Sequence, residues 1–564
     1  MTGRILSRLL LIPALLVCIC AAATIKPAPG AELNYTQVLF EYPEVKGADR
    51  YVIIIENDGR GAETLSFTNT TLALVVDSGL QFANRYRWHY QAFRNKQLVF
   101  TSEVFYFSIG STFQTGSLWF KAMAEETDPS KYKKGIIFLD YLAVAVNRKG
   151  EPVWYLPVNK DSLEKQKTRN IKLTPSGTIT YLDNTDCFEK DITGEVLWKA
   201  PNDGQVSGDK QEYYHHDFFK MNDGSYLTSG YRFVQERNLL DTNQPCRFRY
   251  NTLIQYNKNG EVSWYWDESK HVSKKVIWGD NGPYADEVTG THLNGVAYYP
   301  PDDAFILSFR DNSSVLKISH ATGKVLYNLG DSLLKYNPGK TPFSGQHGPS
   351  LLRNGGIVVY NNNLERSGKS TGPSYPVIRV YSQPSAKKQS ALTWEYECVS
   401  PKYPDGIRGK EGYASQLPYS DNLLVCMGGA NFIFEVTPAK KVVWQCAFQR
   451  YDEGNAQWLD VNNYRCSYAA SLYPCYFTLQ HGAYNSKSNI VSLTLNNEGT
   501  EDDRYTVSFY NEKGEQAGKP QTISVQAGKS KPVSMRVTAN MFPVKVQAVS
   551  VTNPSLIKEM IIEK

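Results

Sequence analysis

Histidine is scarce in this chain of 564 residues, which has eight, and no lysine-rich arm or basic stripe runs through it. Its 61 basic and 56 acidic residues leave a net charge of +5, close to balance for the length, so no nucleic-acid partner is expected. The cysteines show no paired C-x-x-C spacing, which argues against a zinc site. A Gly-rich phosphate cradle and a P-loop are both missing, which disfavours a nucleotide-linked donor. Beyond the first 23 residues no apolar run reaches the roughly 20 residues that span a bilayer.

What is present starts with export. Residues 1–23 place Arg4 and Arg8 around the start of an apolar stretch that ends in small residues, and read as a secretory signal peptide cleaved near Ala23. The mature protein is expected to be exported, with no transmembrane segment. Val17 and Ile19 precede Cys18 and Cys20, which makes a lipid anchor on either cysteine the weaker reading. Seven cysteines follow the signal, and of these Cys466 and Cys475 are spaced to close a short loop, with buried free thiols as the other reading.

The length calls for two or three domains. Tyrosine (37) outnumbers phenylalanine (24), and Asn-Gly and Asp-Gly turns recur, which favours many short strands over helices. Residues 30–112 read as a small antiparallel β-sandwich, a cap or an assembly surface through which a homodimer would form. From 134 to 480 a turn followed by a strand ending in an aromatic repeats. The copies are Asn147–Tyr155, Asp191–Trp198, Asn257–Tyr265 and His320–Tyr327, then the weaker Ser390–Trp394 and Thr437–Trp444. Six copies, most with a β-hairpin, predict an all-β chain built on a six-bladed β-propeller. Residues 485–564 alternate again and predict a small C-terminal β domain.

Three histidines stand at matching points before strands. His216 and His347 each lie seven residues before a turn, Asp223-Gly224 and Asn354-Gly355, and His292 occupies the corresponding place between them. Asn294 shares a strand face with His292, and Arg310 closes the next strand of the same repeat. Propeller geometry would direct His216, His292, Asn294, Arg310 and His347 to one mouth. His215 points to the opposite face and is expected to support them. Three histidines invite a metal, but an arginine among them would repel a cation. Arg, His and Asn together describe an anion site, and a further neutral imidazole can act as nucleophile. The chemistry indicated is transfer of a phosphoryl or sulfuryl group through a modified histidine.

These residues carry a resemblance. H-H-D at 215–217 before N-D-G, H-L-N at 292–294 with an arginine eighteen residues from His292, and Q-H-G at 346–348 before R-N-G resemble the bacterial arylsulfate sulfotransferases. N-N-Y-R at 462–465 and S-L-Y-P at 471–474 are similar too. The resemblance covers about 134–480, with the N-terminal sandwich also similar and the C-terminal domain unmatched. It implies a periplasmic enzyme that moves a sulfuryl group from a phenolic sulfate ester to another phenol without a nucleotide cofactor. By the same resemblance His347 is the nucleophile of a ping-pong cycle, and His292, Asn294, Arg310 and His216 bind the sulfuryl oxygens and assist proton transfer. His292 is the favoured proton carrier. One departure is that 310–346 lacks the cysteines of the family's short-range disulfide. Tyr213, Tyr214, Phe343 and Tyr360 either stack on a phenol ring or serve as ordinary interior aromatics. Two other readings stand beside the transferase: a secreted propeller that binds without catalysis, and a metal-dependent lyase or hydrolase.

Overall fold

The computed structural model describes residues 24–564 apart from 60–62, 112–119, 158–167, 184–185, 279–280, 331–341, 365–374, 385–388, 400–410, 453 and 539–540. Residues 1–23, read above as a signal peptide, lie outside the described residues. The fold is all-β, as expected.

Near the N-terminus, a sheet centred on the strands Arg50–Asn57 and Asn84–Arg94 packs beside a two-stranded sheet, Val38–Glu41 with Ala73–Val76. Alternation sets its inner face: Tyr51, Ile53 and Ile55 are buried and their neighbours are not. This core does not stop at the sandwich. It runs on through Ile136, Phe138, Trp154 and Tyr181.

Six sheets, each built on four antiparallel strands, follow in chain order and are counted here as the first to sixth; the third adds Glu287–Thr289 and the sixth adds Gln457–Asp460. The first is completed from far along the chain: Cys466–Ala469 pairs with Ile136–Leu139. The leading strands of the second to sixth sheets are Thr168–Leu173, Tyr214–Lys220, Leu293–Tyr299, His347–Leu351 and Tyr413–Gln416. Each of these touches the next, while Cys466–Ala469 touches the second and sixth sheets. Residues 120–126 add an edge strand to the sixth sheet.

The repeated turn has a local cause. Asn147 Oδ1 accepts from the backbone N–H of Lys149 (2.9 Å) and Glu151 (3.0 Å), and Gly150 takes φ +82°. Asp191 and Asn257 repeat this with Gly194 and Gly260. Tryptophans at or next to the ends of the repeated strands join one sheet to the next. Trp154 Nε1 donates to Ile192 O (2.8 Å), Trp266 to Gly323 O (3.0 Å) and Trp394 to Pro438 O (2.8 Å), each carbonyl lying in a turn of the following sheet. Trp444 of the sixth sheet donates to Arg148 O (2.7 Å), in a turn of the first.

Past residue 476, sheets of three and four strands enclose a separate core that includes Leu493, Tyr505, Phe509 and Val546. All seven cysteines of the described chain are free and buried. The loop closure considered for Cys466 and Cys475 is therefore not made. Cys466 lies on the closing strand, whereas the Cys475 thiol contacts Asp503 (3.3 Å) and Ser550 (3.2 Å).

Candidate active site

Four leading strands lose register near their starts, between Arg169 and Lys172, His215 and Phe218, Leu293 and Gly295, and His347 and Ser350. At each break φ turns positive: Asn170 (+57°), His216 (+59°), His292 (+62°) and Gly348 (+40°). Bulges of this kind re-aim side chains, and a non-glycine residue held there costs on the order of 1–3 kcal/mol. Only glycine suits position 348, because a Cβ there would meet Tyr413 Cδ2 at 2.6 Å.

Asp217 ties these strands together. Its buried carboxylate accepts from Asn170 Nδ2 (2.9 Å) on the second sheet and Val296 N (2.7 Å) on the fourth. Arg465, just ahead of the closing strand, grips it with both terminal nitrogens and also donates to Asn294 O (2.9 Å). A second carboxylate, Glu268, fully buried, holds the residue before His292: it accepts from Asn251 N (2.8 Å), Asn251 Nδ2 (2.7 Å) and Thr291 Oγ1.

The three histidines meet within this frame. The ring of His216 lies 5.3 Å from that of His292 and 6.4 Å from that of His347, centre to centre. His347 is buried, and neither of its ring nitrogens has a hydrogen-bond partner among the described residues. Burial, with the charges of His292, Arg465 and Arg310, holds its pKa well below the ordinary value, so it stays neutral. Burial, with His215 and His292 next, lowers His216 in the same way. His215 supports His216 as expected, its Nδ1 facing His216 Nδ1 and its Nε2 facing Gly230 O (3.1 Å).

Arg310 and His292 are joined by Arg310 N donating to His292 O (3.0 Å). Asp311 stands between their side chains, 3.0 Å from Arg310 Nη1 and 3.7 Å from His292 Nδ1. Burial alone would raise the Asp311 pKa, but His292 and Arg310 outweigh it and keep the group ionised. His292 is the solvent-facing member, with 38% of its side chain exposed. Asn294 directs one amide hydrogen to Gln346 O (2.7 Å), the carbonyl just before His347. Thus all five residues expected at the site belong to one connected cluster.

The four aromatic candidates do not join it. Tyr214 bonds Tyr256 (2.8 Å) and Pro201 O in the core between the second and third sheets. Phe343 packs on Tyr381 among Ile306 and Ile357, and Tyr360 is buried among Val358, Ile378 and Val425. Tyr213 sits edge-on to Phe233 and bonds Asp209 (3.3 Å). Strand alternation sends Tyr214 and Tyr360 between sheets, and Tyr213 and Phe343, outside the strands, pack on Phe233 and Tyr381, so none of the four reaches the histidines.

Other aromatics take the place. Tyr464 has its ring 6.1 Å from both His216 and His347 and stacks with Tyr141 (6.2 Å). The guanidinium groups of Arg465 and Arg169 lie over Tyr464 at 4.9 and 5.4 Å. The sequence held one overlooked signal: Arg169, His216 and His347 each stand eight residues before a turn glycine, Gly177, Gly224 and Gly355. Among the described residues no three His, Cys, Asp or Glu side chains are placed to hold a metal ion.

The family model described as Arylsulfotransferase (ASST) matches residues 121–458, more than half of the chain. No curated protein matches. Among solved structures, a protein of unknown function from Bacteroides caccae is similar at 13% identity and a TM-score of 0.35, over 56% of this chain and 93% of its own. Kuenenia stuttgartiensis hydrazine synthase is similar at 11% identity and a TM-score of 0.29, over 52% and 94%. At such scores neither likeness carries an argument.

Proposed function

Because the chain belongs to the arylsulfotransferase family, we propose that it is an exported enzyme that passes a sulfuryl group between phenols through a covalent intermediate on His347. The observation that carries this reading is His347 itself, a buried neutral imidazole with both nitrogens unengaged among the described residues, beside Arg310 and His292. A nitrogen lone pair buried in this way is costly unless a ligand uses it.

In the first half-reaction a His347 nitrogen attacks sulfur, the N–S bond forms and the S–O bond to the donor phenol breaks. Arg310 and the second amide hydrogen of Asn294 bind the sulfuryl oxygens, where such donors are each worth about 10²–10³ in rate. His292, backed by Asp311, protonates the departing phenolate and then takes the proton of the acceptor phenol. That phenol attacks sulfur, the new S–O bond forms and the N–S bond breaks, which restores His347. The six meanders are read as blades of a propeller around this site. The sequence of strand contacts, the Trp444 to Arg148 hydrogen bond and the pairing of 466–469 with 136–139 support closure of the ring.

The test uses the purified mature protein with 4-nitrophenyl sulfate, a plain phenol and no nucleotide. Colour released only with acceptor present, and lost in His347→Asn, is the expected result. Donor alone should leave one sulfuryl group on the peptide containing His347. Release without acceptor would make the protein a hydrolase, and no release across a panel of donors would favour a binding propeller.

A further inference from the structure

Two arginines near the histidines have no work in the reaction just described. The Arg169 side chain makes no hydrogen bond or ion pair among the described residues, and its buried Nε is unpartnered. Arg249 also has a buried, unpartnered Nε, and its one carboxylate neighbour, Glu287, is 4.0 Å away and well exposed. Each is held by a ring. Arg169 lies over Tyr464 at 5.4 Å, and Arg249 lies over Tyr231 at 4.6 Å, which in turn stacks on His215 at 4.0 Å. Stacking fixes the guanidinium planes while leaving their N–H edges free for an anion.

Their place in the fold matters. Arg169 leads the second sheet and His347 the fifth, which the propeller reading sets opposite each other, and Tyr464 touches both, its ring 5.4 Å from the Arg169 guanidinium and 6.1 Å from the His347 ring. Arg249 belongs to a hairpin, Tyr226–Arg237 with Pro245–Tyr256, whose strands run past Gly230, where His215 is bonded. A phenol whose oxygen is at His347 and whose ring lies by Tyr464 therefore points its far end toward Arg169 and Arg249. The nearby carboxylates are occupied: Asp311 faces Arg310 and His292, Asp217 is held by Arg465, and Glu411 accepts from Tyr141 (2.7 Å).

We infer that Arg169 and Arg249 form an anion subsite, and that the arenes this protein handles carry a second acidic group remote from the reacting oxygen. Carboxylate and sulfonate share the needed chemistry, a planar or tetrahedral set of oxygens for a guanidinium fork. The inference rests on the transferase reading.

The experiment compares acceptors of similar shape: 4-hydroxybenzoate and 4-hydroxybenzenesulfonate against neutral 4-hydroxybenzamide. Wild type should favour an anionic acceptor in kcat/KM by about tenfold or more, the worth of a charge-assisted hydrogen bond. Arg169→Gln and Arg249→Gln should bring that ratio toward one, and the acid that responds more names the group. Equal ratios in wild type and variants overturn the inference while leaving the transferase intact. Calorimetric titration of 4-hydroxybenzoate and 4-hydroxybenzamide separates the two readings. If no phenol accepts sulfuryl, tighter binding of the acid in wild type and its loss in both variants still support the subsite. Equal binding removes it.

Discussion

The Nδ1 atoms of His215 and His216 lie 2.7 Å apart, so two adjacent imidazoles share one proton. His215 Nε2 faces a carbonyl and must be the donor there, which leaves its Nδ1 as an acceptor. His216 Nδ1 then carries the hydrogen, and its Nε2 keeps a lone pair. Burial pushes the pKa of His215 down to about 3, which keeps it neutral and preserves this arrangement.

Replacing His215 by Phe removes the acceptor that fixes the tautomer of His216. The His216 ring lies 5.3 Å from that of the proton carrier His292, so loss of its orientation should lower kcat by about 10²-fold with little change in KM. His215→Gln, which retains an acceptor, should recover part of the loss. Steady-state kinetics on the three proteins check this.

The Asp217–Arg465 pair is buried on both sides. Asp217→Leu strands a guanidinium in the interior and should cost about 3–5 kcal/mol, whereas the double change Asp217→Leu with Arg465→Leu should cost less than the two single changes to leucine added together. Urea unfolding of the four proteins measures both.

Acid should weaken the fold through His215, His216 and His347. The folded pKa values of these three lie below the ordinary 6.5, so the unfolded chain binds protons that the folded site refuses. Their contribution is whole above about pH 6.5 and falls as pH drops, by up to about 1.4 kcal/mol per unit for each group. For His215 the window runs down to about 3. Asp140, raised to about 7 by burial against hydrogen bonds from Asn170 and Ile171, acts with the opposite sign. The measurement is therefore a difference. The stability gap between wild type and His215→Phe should become less favourable to wild type from pH 7.5 to pH 5, and a constant gap would contradict it.

Burial raises the thiol pKa of Cys187, Cys398, Cys446, Cys466 and Cys475. Maleimide at pH 7.5 should label none of the seven cysteines in the native protein and all seven in denaturant, counted by intact mass.

The sequence made legible whatever is local or repeats. The Asx turns at Asn147, Asp191 and Asn257 are written within five residues each, and His216 and His347 keep a fixed offset from a turn glycine. Arg169 keeps the same offset but escapes a search for histidines. Asp217 and Arg465 are 248 residues apart, and nothing in either segment announces the other. The aromatic candidates misled because strand alternation gives a face but not what lies against it. Tyr360 pairs with His347 in the ladder, yet its ring lies in the core between sheets.

The pairing of Cys466–Ala469 with Ile136–Leu139 also sets an order of events. A chain made from its N-terminus delivers Tyr464, Arg465 and this strand after every histidine of the site. Until they arrive, the Asp217 carboxylate lacks its cation and the first sheet lacks its fourth strand. A chain cut before residue 464 would hold all three histidines and no finished pocket, so the cluster is completed by the residues that join it last.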